Sequence, residues 1–367
     1  MMLGVNYLSN LRQRQSKDMA NSPFALERRR ADLMNDVIKT FRAALPEAAQ
    51  TFRKSLRRRI VRARLRLTGA DHDTRMRAER RLRGREQHDR VRRADAVIVS
   101  YPKCGRTWLR VMISRLCQQI YDLPADVVIE FDNLHHMDSR APRLFFTHDT
   151  HIRDYTGHWD TKVDYYDRKV LLLVRDPRDV AVSQFFHWRF RTKAWKKDMN
   201  DYPAHGADCS VFDFAREDTG GLPRIIDFMN LWAREKDRLR AHLVIRYEDM
   251  RRSPVETLAE IAAFLDIPAD AAQIAEAVEY ASYENMKKKE ADQSFQSSGG
   301  RLKPGDAANP DSYKVRRAKV GGYRDYFDDA QLAEIDAMVT ERLDPAFGYG
   351  ASHPVSDNIH PEDGTPR

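Results

Sequence analysis

Cysteine is scarce in this chain: three residues, Cys104, Cys117 and Cys209, among 367, with no C-x-x-C spacing. So sparse and odd a set supplies neither a disulfide framework nor a structural zinc site. No apolar run approaches the roughly 18 residues a transmembrane helix needs, and the opening MMLGVNYLSNLRQRQ lacks the apolar stretch of a secretory signal. A cytoplasmic location is expected. No internal repeat is found. The Walker A pattern G-x-x-x-x-G-K-[ST] is missing, as is a magnesium-binding carboxylate after a strand, which excludes a nucleotide-dependent kinase. Aromatics are few in the first 93 residues, only Tyr7, Phe24, Phe41 and Phe52. A base-stacking platform, and with it nucleic acid as a partner, is therefore not expected there.

What is present is unevenly placed. Residues 1–95 hold 25 Lys and Arg against 11 Asp and Glu, while the rest of the chain is net acidic, so the whole excess behind the +8 net charge sits in the first quarter. Residues 1–93 read as a basic, mainly helical extension. Leu33, Val37, Phe41 and Leu45 recur at i, i+4, the spacing of an amphipathic helix, and Phe52 to Leu67 repeats Arg at short intervals. Two readings of this arm stay open. It contacts an anionic membrane face or polyanion, in the extreme as a non-catalytic adaptor. Alternatively, it is a solvated helix packing on the core or on a second subunit of a homodimer. Residues 94–350 carry the strand and helix patterns of one large domain, and residues 351–367 are polar and expected to be disordered.

The chain is organised around Ala94 to Tyr121. A β-branched run, Ala96 to Val99, breaks at Pro102 and Gly105. Trp108, Leu109, Met112, Ile113, Leu116 and Cys117 then follow at helical spacing. This predicts strand, tight loop, helix. The loop carries Lys103, Gly105, Arg106 and Thr107 at a helix N-terminus, whose unpaired N–H groups suit phosphate. A rival lies in the same stretch. Cys104 and Arg110 have the C-x5-R spacing of cysteine-dependent phosphatases, in which a low-pKa thiol attacks phosphorus. Trp108 and Leu109 are bulky for a loop that must wrap a phosphate.

Further on, RLFFTHDTH predicts a strand from Leu144 to Thr147 ending at His148, a candidate general base because imidazole titrates near neutrality. His151 reads as a loop histidine. Val170 to Val174 is continuously apolar, as a parallel strand buried on both faces requires. It ends at Arg175; Pro177 suits a helix start, and Ser183 follows eight residues after the Arg. The plainer reading of Arg175 is an ion pair with Asp176 or Asp179. Residues 189–221 are irregular and expected to shape an acceptor pocket. Helices are predicted over Pro223–Leu239, over Pro254–Leu265 with Ser253 as N-cap, and over Asp328–Leu343; HLVIRYEDM predicts a strand followed by a loop. Residues 287–312 have loop composition beside the site, as lids do.

The loop order YPKxGxTW resembles the 5′-phosphosulfate loop of sulfotransferases, usually PKSGTTW. The later stretches resemble the same family in the expected order, over about residues 95–345, and point to a cytosolic-type, bacterial-style member. The implied fold is α/β: a P-loop-like parallel sheet flanked by helices on both faces. The implied reaction is in-line transfer of a sulfuryl group from 3′-phosphoadenosine 5′-phosphosulfate (PAPS) to an acceptor hydroxyl or amine, without a metal. By this resemblance His148 removes the acceptor proton, Lys103 counters charge on the leaving phosphate, and Arg175 with Ser183 holds the 3′-phosphate. Cys104, Gly105, Arg106 and Thr107 line the 5′-phosphate; Trp108, Tyr247 and Tyr283 border the adenine. Arg316, Arg317 and Ala318, with Gly321, Tyr323 and Phe327, stand where the family has its RKGxxG loop. The chain departs from the pattern at Cys104 (Ser), Arg106 (Thr), Phe146 (Lys), Tyr283 (Phe) and Ala318 (Gly). The acceptor stays open among small molecules, lipids and glycans.

Overall fold

The computed structural model describes residues 56–292 apart from 57 and 66, together with 306, 309–313 and 317–350. The expectations for the amphipathic helix around Leu33–Leu45, for most of the lid loop, for Arg316 and for the tail 351–367 lie outside the described residues.

Four strands form a wholly parallel sheet in the order β2-β1-β3-β4: β1 Ala96–Ser100, β2 Leu144–Thr147, β3 Lys169–Val174 and β4 Ala241–Arg246. Every residue of β1 and β2 is buried, as are Val170 to Val174 of β3, which explains why these strands read as unbroken apolar runs. Besides the helical residues 58–65 and the short helix Asn133–Met137, the described helices are α1 His72–Arg93, α2 Arg106–Ile120, α3 Ile152–Thr156, α4 Pro177–Phe190, α5 Ala194–Met199, α6 Val211–Arg216 and α7 Leu222–Glu235. They continue as α8 Tyr247–Arg252, α9 Pro254–Phe264, α10 Ala271–Tyr280, α11 Tyr283–Ala291 and α12 Asp329–Arg342. α2 buries Leu109, Met112, Ile113, Leu116 and Cys117 on one face. Its Arg115 clasps Glu276 of α10 at 2.6 and 2.9 Å. The α/β architecture read from the sequence is the one observed.

The chain runs from β1 to β2 on one side, then returns to β3 on the other. The loops after β1 and β3 therefore diverge at the carboxyl end of the sheet and leave a crevice between them, where open parallel sheets bind ligands.

Several elements differ from expectation. The irregular stretch 189–221 contains α5 and α6, each six residues long and too short to display a 3.6-residue period. Residues 247–252, expected as loop, form α8. Lys287 to Lys289, expected as loop, lie in α11, where Ser282 accepts a capping bond from the Asn285 N–H at 3.4 Å. The predicted helix over Pro223–Leu239 is α7 followed by a 3-10 turn, Lys236–Arg238. Ser253 sits at the N-cap of α9, but its side chain makes no capping bond.

The described part of the basic arm packs on the core. Residues 58–65 are helical, and α1 buries Val91 against the sheet. Gly84 is where α1 meets the α3 turn. A Cβ placed there would lie 2.0 Å from the His151 carbonyl oxygen and 2.9 Å from Tyr155 Cβ, so only glycine permits the approach. Gln87 accepts from the His151 N–H at 3.2 Å, and Arg80 donates to the Met199 carbonyl at 2.8 Å, tying α1 also to the end of α5.

Candidate active site

A cavity of about 1470 Å³ opens at the carboxyl ends of β1, β2 and β3. It collects, from distant points of the chain, Lys103, Gly105, Arg106, Thr107, Trp108, His148, Arg175, Ser183, Tyr247, Tyr283, Arg317 and Ala318. Twelve of the residues that the resemblance assigns thus border one space. Cys104 does not: it is 2% exposed, beneath the loop.

The loop after β1 owes its shape to left-handed backbone at Lys103 (φ 76°) and Gly105 (φ 90°). A Cβ at Gly105 would stand 2.6 Å from Tyr247 Cδ2, so this glycine meets both a conformational and a steric demand. Gly105 is the N-cap residue of the 15-residue α2, with no side-chain cap over the helix N–H groups. Trp108 Nε1 donates to the Ala281 carbonyl at 2.8 Å, and its ring meets Tyr247 edge-to-face at 6.0 Å, which fixes the indole at the cavity wall.

Arg175, at the end of β3, binds three segments. It donates to Asp179 (3.2 Å), to the Lys319 carbonyl (2.9 Å) and to the Lys103 carbonyl (3.4 Å), with its guanidinium 4.4 Å over the Tyr247 ring. The ion pair with Asp179 offered by the plainer reading exists, and Arg175 also lines the cavity. Its Nε is buried with no hydrogen-bond partner. A cationic side chain with an orphaned donor on the cavity wall fits a ligand anion, so the residues suit the adenosine bisphosphate portion of a donor. Asp179 also accepts from the Gly321 and Tyr323 N–H groups, both at 2.9 Å, pinning the 317–323 turn to α4. On that turn Ala318, in place of the family's glycine, nonetheless adopts left-handed backbone (φ 49°), at a cost of roughly 1–2 kcal/mol. Arg317 is exposed and paired with Asp325.

His148 follows β2. Its Nδ1 lies 2.8 Å from the Ser100 carbonyl, which can only accept. Nδ1 therefore carries the proton, and in the neutral ring Nε2 is the basic nitrogen. His151 is buried under α1, 3.4 Å from Asp154, and does not line the cavity.

The family model described as the sulfotransferase domain matches residues 93–346. The chain belongs to the sulfotransferase family. It is 25% identical over 261 residues to Sulfotransferase 6B1 of Pan troglodytes, covering 69% of this chain and 77% of that one. To Cytosolic sulfotransferase 13 of Arabidopsis thaliana it is 25% identical over 280 residues, covering 70% and 79%. The structure of mouse sulfotransferase SULT7A1 complexed with PAP is similar at 21% identity and a TM-score of 0.44, covering 68% of this chain and 84% of that one. The reaction class read from the sequence stands: the protein is a PAPS-dependent sulfotransferase.

The phosphatase alternative fails on geometry. Burial pushes the Cys104 thiol up to about 12, with Arg175 and Arg106 too weak to offset it. Arg110 is also buried, 4.4 Å over the Phe146 ring on β2, and does not reach the cavity. This sulfotransferase has further wall residues that sequence reasoning missed. Asp179 was weighed only as a rival partner for Arg175. Lys193 and Lys196 fall in the 189–221 stretch expected to shape a pocket, whereas Arg153, Trp159, Lys162, Arg224 and Arg234 come from two further segments without motif spacing, so no pattern in the sequence marks them.

Proposed function

We propose that His148 is the general base for sulfuryl transfer, with the donor held by the loop Lys103–Trp108, Arg175, Ser183, Tyr247, Tyr283, Arg317 and Ala318. The observation that carries this reading is the pairing of a tautomer-fixed His148 with Lys103 on one cavity. The acceptor oxygen or nitrogen attacks sulfur, and a bond to sulfur forms as the bond from sulfur to the bridging phosphate oxygen breaks. His148 Nε2 takes the acceptor proton, and adenosine 3′,5′-bisphosphate leaves. Lys103 neutralises charge growing on the leaving phosphate, aided by Arg106 and by the α2 N–H groups. Phe146 leaves the β2 position without the family's lysine, so Lys103 carries more of this task. A cytosolic location, like that named for the Arabidopsis relative, accompanies the reading. Replacing His148→Gln is expected to lower kcat by about 10²- to 10⁴-fold while leaving bisphosphate affinity near normal. Near-normal turnover by this variant would remove the base assignment.

A further inference from the structure

Besides the donor loop, the cavity is walled by residues 153–162, by the start of α5 and by α7, and these segments are rich in cations. Arg153, Lys193, Lys196, Arg224 and Arg234 line it, with Trp159 at the rim, half-exposed. Several nearby carboxylates are already engaged. Asp201 pairs with Arg80, Asp149 with Lys162 at 2.5 Å, and Asp227 lies 3.7 Å from Arg342. Among the described residues, Arg153, Lys193, Lys196 and Arg234 have no carboxylate partner. Among the described wall residues, Asp160 and Asp218 are the carboxylates left to oppose them.

The crowding is compounded from outside the family-matched segment. Arg83 of α1 lies 5.4 Å over the Trp195 ring, and Lys196 Nζ lies 5.6 Å from the same ring. Desolvation, then repulsion from Arg83 and Lys193, holds Lys196 below its ordinary range. Like charges gathered beside a cavity repel one another until an anion arrives.

We propose that the acceptor of this sulfotransferase is an anion. It is a hydroxyl-bearing molecule that also carries a carboxylate, sulfate or phosphate, gripped by Lys193, Lys196 and Arg153 while its hydroxyl faces His148. The proposal rests on the donor-site reading above. A neutral phenol or sterol would leave these cations unpaired.

The test is calorimetry on the full chain saturated with adenosine 3′,5′-bisphosphate, using three probes: a glucuronate-bearing disaccharide, glucose 6-phosphate and neutral 2-naphthol. At least one anionic probe is expected to bind more tightly than the naphthol, and to weaken as salt rises. The two anionic arms distinguish a uronate from a phosphate ester. In the double variant Lys193→Ala/Lys196→Ala, the anionic probe is expected to lose about tenfold in affinity, with the bisphosphate affinity unchanged. Normal bisphosphate binding with no probe bound, or with naphthol bound best, overturns the proposal alone. Failure to bind the bisphosphate overturns the donor site and this inference with it.

Discussion

Replacing Arg175→Ala tests the proposed grip on the 3′-phosphate separately from everything else the cavity does. A charge-assisted bond from a guanidinium to a phosphate contributes about 1.5–3 kcal/mol net, which is roughly 10- to 150-fold in affinity. The perturbation also affects folding. Asp179, 3% exposed at its side chain, would lose its cation while keeping two backbone N–H donors. Removing one partner of such a buried pair costs about 3 kcal/mol, so the melting temperature is expected to fall by several degrees. Calorimetry well below that transition, with adenosine 3′,5′-bisphosphate and adenosine 5′-monophosphate side by side, resolves the two effects. The bisphosphate is expected to lose its advantage, while the monophosphate, lacking the 3′ group, changes little. Arg175→Lys should fall between, since it keeps the charge but not the planar fork. An equal loss for both nucleotides would mean the loop had collapsed, and no loss for either would mean that Arg175 does not face the 3′-phosphate. Both results would refute the reasoning.

Two further outcomes follow from the packing. Gly84→Ala brings a methyl within 2.0 Å of the His151 carbonyl. It is expected to cost about 1–3 kcal/mol, and an unchanged denaturation midpoint would mean that α1 is not docked as described. Burial alone would raise the Glu235 carboxyl. Bonds from the Tyr166 hydroxyl (2.5 Å), the Lys162 N–H (3.0 Å) and the Thr161 hydroxyl (2.8 Å) outweigh it and hold the group at about 2. A lowered folded-state value stabilises above the unfolded carboxylate range, so this contribution is lost as pH falls from about 4.5 toward 2. Glu235→Gln should flatten that part of the stability profile as measured by thermal melts, and an unaltered profile would contradict the assignment.

The parts of the fold legible in the sequence were those whose signal is local. Val170 to Val174 reads as a doubly buried strand because a parallel strand has no solvent face. The Ala96–Thr107 stretch reads as strand and phosphate loop because a glycine, a lysine and a helix start must be adjacent in the chain to form one. His148, which lines the cavity, was singled out because the strand before it ends in a recognisable pair. The short helices α5, α6 and α8 escaped because six residues span less than two turns. Ser253 shows the opposite limit: the right residue type stood at the right position, yet its side chain makes no capping bond.

By itself, then, the sequence determined the chemistry: a sulfuryl-transfer site built from contiguous motifs, each bound to its strand end by a few residues of chain. Tertiary structure alone decided which side chains share the cavity and which are buried behind it. It sank Cys104 and Arg110 away from the cavity, and turned Asp179 from a rival into the clamp on the 317–323 turn. It also packed α1 of the basic arm against α5, beside the cavity. The physical reason is range. Backbone preference and burial period act over a few residues and leave a pattern along the chain. Charge complementarity at a cavity wall acts through space, between residues that the sequence keeps far apart.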